Sequence, residues 1–130
     1  MYNERQKYER EKKTKFEVFN DGIAHIYKLA DVSQPGFKPA FKPQPYRHYP
    51  FKYKTIGVRR NYQAMQAQVR LDEMILTAQD RHVSAQDIVV IEGIQYEVKQ
   101  VQHQNETFPR TSLISLQRLE ENYDDLAEVY

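Results

Sequence analysis

The stretch Asp87–Gln102, DIVVIEGIQYEVKQVQ, decides the fold. Ile88-Val89-Val90-Ile91 is an unbroken β-branched run, too short for a helix and bounded by polar residues, which is the pattern of a buried strand. Beyond Gly93 the pattern changes to alternation. Tyr96, Val98 and Val101 are expected to lie inward, with a register change near Gln100. Gly93-Ile94 between the two runs is a two-residue loop with glycine first, a type II′ hairpin signal. The middle of the chain is therefore expected to be antiparallel β.

The flanks extend the pattern. Toward the C-terminus, residues 103–110 form a polar loop ended by Pro109, and Thr111–Leu119 (TSLISLQRL) alternates as another strand. Toward the N-terminus, Val83-Ser84-Ala85-Gln86-Asp87 has the S-x-x-D form of a single helical turn capped by Ser84. Val69, Leu71, Met74 and Ile75 fit neither period cleanly. A strand bulged near Asp72-Glu73 and an amphipathic helix both fit them, and the strand is preferred. Residues 61–67 favour a turn or a short helical piece, and Phe51–Arg60 alternates, with Gly57 as a possible bulge. Ile23–Ala30 alternates as well; Asn20-Asp21-Gly22 is a turn signal before it, and Phe16–Phe19 is a candidate partner strand. The sum is about six or seven strands and at most a short helix. That makes the chain mainly β, a small β-barrel or sandwich.

Residues 33–50 break the pattern. Pro35, Pro39, Pro43, Pro45 and Pro50 fall here, with a local repeat, Phe37-Lys38-Pro39 then Phe41-Lys42-Pro43. Proline fixes φ and has no amide donor, so the expectation is a long extended loop of polyproline character, not a central strand. Such a loop is usually functional or disordered, and Phe37, Phe41, Tyr46 and Tyr49 are its candidate partner-docking aromatics. If it is only a loop, deleting residues 36–48 should leave a folded domain.

The length of 130 residues suits one domain, expected over 16–120, between a charged N-terminal arm (1–15) and an acidic tail (121–130). The arm is expected either as an exposed helix or as a segment that orders on a partner. No apolar run approaches the roughly twenty residues of a membrane span, so no membrane is expected among the partners. The first residues lack the apolar core of a signal peptide, and there is no cysteine.

Net charge is +1, but the distribution is uneven. Between Asp31 and Asp72 there is no acidic residue and there are eight basic ones. Of these Lys38, Lys42, Arg47, Lys52 and Lys54 are the candidate contacts to DNA or to a partner. DNA in a channel, an acidic protein neighbour and a solvated linker are all open readings. After Arg118 the chain is acidic. Arg59 and Arg60 set against Asp124 and Asp125 are candidate contacts between copies.

His25, His48, His82 and His103 are scattered without metal-ligand spacing, so no metal and no cofactor is expected. Asp72-Glu73 and Asp124-Asp125 are adjacent pairs, which point to opposite faces on a strand and make no acid–base dyad. There is no phosphate loop, nucleophile elbow or triad order, so the chain is expected not to be an enzyme.

From Gly22 to about Glu120 the sequence resembles the head–tail adaptor, or head-completion (head-closure), proteins of long-tailed bacteriophages of Gram-positive hosts. The resemblance is carried by Tyr53–Tyr62 (YKTIGVRRNY) with Ala64 and Gln66, by Gln79–Val89 and Ile91–Gln102, and by the terminal Leu113–Leu119. It implies a small β-barrel virion protein of the viral neck, made in the host bacterial cytoplasm. It implies a ring, dodecameric in the virion and monomeric when isolated, that closes the DNA exit channel during viral assembly. The implied partners are a portal or adaptor ring above, a tail-completion or tail-tube protein below, and packaged double-stranded DNA held regardless of sequence. Residues 33–50 are the match to the loop that enters the channel. A tail-completion protein one station lower, and a free nucleic-acid-binding barrel, are the alternatives.

Overall fold

The structure, a computed structural model, describes residues 15–67, 70–124 and 126. Its strands are β1 (Lys15–Phe16), β2 (Gly22–Asp31), β3 (Phe41–Tyr53), β4 (Glu73–Ala78), β5 (Ile88–Ile91), β6 (Ile94–Gln104), β7 (Thr107–Phe108) and β8 (Thr111–Arg118). Among the described residues there is one helix, α1 (Val58–Gln66). Six strands pair antiparallel in the order β2-β3-β4-β8-β6-β5, and β5 returns to β2, so the sheet closes into a small barrel with no free edge around its waist. The expected mainly β architecture is the observed one.

Alternation places the core. Ala24 and Ile26 of β2, Phe51 of β3, Ile75 of β4, Val89 and Ile91 of β5, Tyr96 and Val98 of β6, and Ile114 and Leu116 of β8 fill the interior. Val83, from the segment between β4 and β5, joins them. Phe51 is fully buried, and its ring lies so close to Gly22 that a Cβ there would sit 3.0 Å from it. Gly22 also has φ +146°, so two constraints demand glycine. Strand β8 is buried at every position from Thr111 to Leu116. Its second face is covered too, because Leu113 packs with Met74, Leu76, Phe19 and Ile56 outside the barrel.

The β5–β6 hairpin forms as expected, with one correction. Ile91 pairs with Ile94, so the loop is Glu92-Gly93, and both residues have positive φ (51° and 79°). That is the type I′ pattern, not II′. The expected register change in β6 is present between Val98 and Gln100.

Other expectations fail for identifiable reasons. Ser84 caps no helical turn; instead Asp87 Oδ2 accepts from the Ser84 amide at 2.8 Å, and the segment is a turn. The segment at Phe16 does not pair with β2; β1 pairs in parallel with β7. The strand expected over Phe51–Arg60 ends at Tyr53, and the α1 helix begins at Val58. The N-terminal arm before Lys15 lies outside the described residues.

The largest correction concerns residues 33–50, which are not one long loop. Strand β3 starts at Phe41 and pairs with β2 continuously to Gly22↔Phe51, past Pro43, Pro45 and Pro50. The prolines are tolerated because of phase. Lys54 donates its amide to Met74 O on β4, so by alternation the nitrogens of Lys52 and Pro50 also face away from β2. A one-residue bulge between Ile26 and Tyr27 leaves Tyr46 extra and puts Pro45 and Pro43 into that same phase. On that side β4 pairs with β3 only at Phe51–Tyr53. Each proline thus lies where no ladder bond is lost, the edge position in which a strand accepts proline.

Candidate functional site

Strand β5 covers β2 only at His25–Tyr27, and β4 covers β3 only at Phe51–Tyr53. The distal parts of β2 and β3 therefore leave the barrel as a two-stranded arm. Residues 32–40 close it. Val32 donates its amide to Ala40 O at 2.8 Å, and the Asp31 carboxylate accepts from the amides of Ser33 (2.9 Å) and Ala40 (3.1 Å). The hydrogen bonds from Ser33, then that from Ala40, hold the Asp31 carboxyl below its usual range.

The arm's root is locked to the barrel. Asp80, with its side chain 3% exposed, accepts from Tyr49 Oη at 2.5 Å, from Tyr46 Oη at 3.0 Å and from the His82 amide at 2.9 Å. The Arg47 guanidinium stands 3.9 Å away and over the Tyr46 ring. Burial pushes the Asp80 carboxyl up, but the hydrogen bonds from Tyr49, His82 and Tyr46 and the charge of Arg47 outweigh it and hold it below the usual value of 3.8. Burial first, then Asp80, pushes the Tyr46 and Tyr49 phenols up, so both remain neutral donors. Lys28 of β2 donates to His82 O and, at 2.6 Å, to Asp87 Oδ2. The segment 79–87 thus grips both strands of the arm, and Val83 anchors that segment in the core.

These contacts divide the candidate residues. Tyr46 and Tyr49, expected as docking aromatics, pack on the molecule's own core with their hydroxyls on Asp80. Lys52 and Lys54, expected as contacts to DNA or a partner, lie in and just after β3 and both bind Glu17, at 3.2 and 3.4 Å. Arg60 is also held within the chain, donating to Ser115 Oγ and Gln102 Oε1, each at 2.7 Å. Phe37 and Phe41 are exposed, at 71% and 57%, and Lys38 and Lys42 are exposed beside them. Among the described residues no ion pair reaches either lysine. Arg59 and Asp124 are exposed, and Asp125 lies outside the described residues.

Below the tip, a cavity of about 510 Å³ lies between Leu29 and Phe41 of the arm, the turn Ser84–Asp87, and Tyr123. The C-terminal segment reaches it because Gln95 and Tyr123 exchange two hydrogen bonds, at 2.9 and 2.8 Å. Its acidic residues Glu120, Glu121 and Asp124 face solvent.

The sequence reading missed Asp80. It is a lone carboxylate in a polar stretch, and only the fold brings two tyrosines from β3 onto it. Among the described residues no three histidine, aspartate or glutamate side chains gather in a metal-binding cluster, and no helix is long and apolar enough to cross a membrane. No protein-family model matches the chain, and a search of the curated proteins returns no match.

Proposed function

We propose that this chain is a structural subunit of a bacteriophage neck, a head–tail connector of the head-closure type, whose β2–β3 arm makes the working contact. The single observation that carries the reading is the arm itself. A rigidly rooted hairpin outruns the barrel and ends in Phe37, Lys38, Phe41 and Lys42, all exposed, and no ion pair among the described residues reaches either lysine. Such a tip suits insertion between neighbours in an assembly. Many weak cationic contacts become strong when symmetry repeats them around one axis. The sequence blocks that resemble head-completion proteins include the β5–β6 hairpin and β8, which are barrel strands, so the resemblance and the architecture concern the same residues. The barrel holds, and the arm reaches. The ring, the portal-side and tail-side neighbours, the packaged DNA and the virion location belong to this proposal.

The test is an electron-microscopy map of the virion neck. The reading expects this chain in a ring between portal and tail, with the Phe37–Lys42 tip turned toward the channel or an adjoining subunit. A competing reading, a free nucleic-acid-binding barrel, draws on the same exposed lysines. DNA affinity of the isolated chain across salt separates the two. Weak binding fits the connector, whereas micromolar or tighter binding at physiological salt, with a steep salt slope, fits the free binder.

A further inference from the structure

We propose that His25 and His48 form a binding site for a divalent ion of the late first transition series, of which Zn²⁺ is the reference case. The two residues are 23 positions apart in sequence, yet they are direct partners in the β2–β3 ladder. The phase that accommodates Pro50 also makes His25↔His48 a non-hydrogen-bonded pair, the closer of the two antiparallel types, with Cα atoms about 4.5 Å apart. Paired side chains emerge on one face. The next pair, Ala24 and Tyr49, packs on the core, so both imidazoles emerge on the outer face. Their ring centroids are 5.9 Å apart and the planes are inclined by 44°.

Chelation asks for one nitrogen of each ring at roughly 2.0–2.1 Å from a shared ion. With the centroids 5.9 Å apart on facing ladder positions, side-chain rotation is the movement that chelation requires. Both rings are free to rotate, since neither carries a hydrogen bond or an ion pair to a described residue. His103, by contrast, is engaged through Nδ1 with Ser112 Oγ at 2.9 Å. The protein supplies two nitrogen donors and water fills the remaining positions, which suits zinc, nickel or copper better than magnesium or calcium.

The location gives the site a role. The bulge of the β2–β3 ladder lies just beyond His25, and the flanking support from β5 and β4 ends within a few residues of it. An ion on both histidines clips the two strands together where the arm leaves the barrel. It would stiffen the root without touching the tip.

The test uses the full chain and Zn²⁺ alone, at slightly alkaline pH. Expected are one ion per chain by calorimetry, joint movement of the His25 and His48 ring signals by NMR with those of His82 and His103 unmoved, and a raised melting temperature. His25→Ala and His48→Ala should each weaken binding about tenfold or more, because one donor loses the effective concentration of the other. His82→Ala should leave it unchanged. Acidification should release the ion as protons compete. The proposal is overturned if Zn²⁺ fails to bind at millimolar concentration, if either His25→Ala or His48→Ala leaves the affinity unchanged, or if one ion joins two chains. The wild-type ring signals decide the question even if a variant folds poorly. None of these outcomes depends on the neck assignment.

Discussion

The root of the β2–β3 arm is tied to the barrel by two carboxylates, whereas among the described residues the hydrogen bonds of its tip stay within the tip. Both regions have the same composition, proline, aromatics and basic residues in close alternation. At the root, Tyr46, Tyr49 and Arg47 find Asp80, and Lys52 and Lys54 find Glu17. At the tip, Asp31 organises the backbone of the turn, and Phe37, Lys38, Phe41 and Lys42 are left facing outward. Composition therefore does not separate the side chains that are held from those left exposed. The presence of a buried acceptor does.

The hardest blow to that division is a pair of deletions. Removing residues 36–48 takes away most of β3 beyond the barrel and Tyr46 with it, so the structure reverses the expectation that a folded domain survives. Loss of near-UV circular dichroism is now expected. Replacing residues 33–39 with a two-residue Asn-Gly turn removes only the tip loop and should cost less than about 1 kcal/mol. Equal outcomes for the two deletions would erase the distinction between root and tip.

Next in size is Phe51→Ala, which empties the barrel beside Gly22 and should cost about 4 kcal/mol by urea unfolding. Phe37→Ala, with the same atoms removed from an exposed site, should change stability by less than about 0.5 kcal/mol. Asp80→Asn comes third. It weakens the acceptor shared by Tyr46, Tyr49 and the His82 amide, and should cost about 2 kcal/mol. A negligible loss would mean that the arm is held by packing alone.

Acid gives the smallest and most local contrast. Asp80 and Asp31 both have lowered pKa values, so each contributes stability that is fully present above the unfolded aspartate value of about 3.9. Each contribution is lost as pH falls through the lower folded value. Stability should therefore stay level from neutrality down to about pH 5 as far as these groups are concerned, and decline below about pH 4. The Asp31 step should show as shifts of the Ser33 and Ala40 amides without global unfolding. The Asp80 step should accompany weakening of the whole barrel.

Much of the barrel was legible because its signals are local. The Ile88–Ile91 run, the alternation in β6 and β8, and the register change near Gln100 all follow from neighbours in sequence. The turn type was missed because the loop is Glu92-Gly93 rather than Gly93-Ile94, and Glu92 takes a left-handed conformation alongside Gly93. Residues 41–50 were missed because the exclusion of proline holds for strands paired on both sides, and the open flank of β3 is a fact of topology. Asp80 and the His25–His48 pair had no local signal. Each depends on the register of strands distant in sequence.

The central claim is that the tip acts while the root and barrel hold it. The most direct measurement combines Phe37→Ala, Lys38→Ala, Phe41→Ala and Lys42→Ala in one chain and follows both folding and virion assembly. The account predicts a melting temperature close to that of the parent chain, together with heads that lose DNA or fail to take tails. Normal infectious virions from that variant would contradict it.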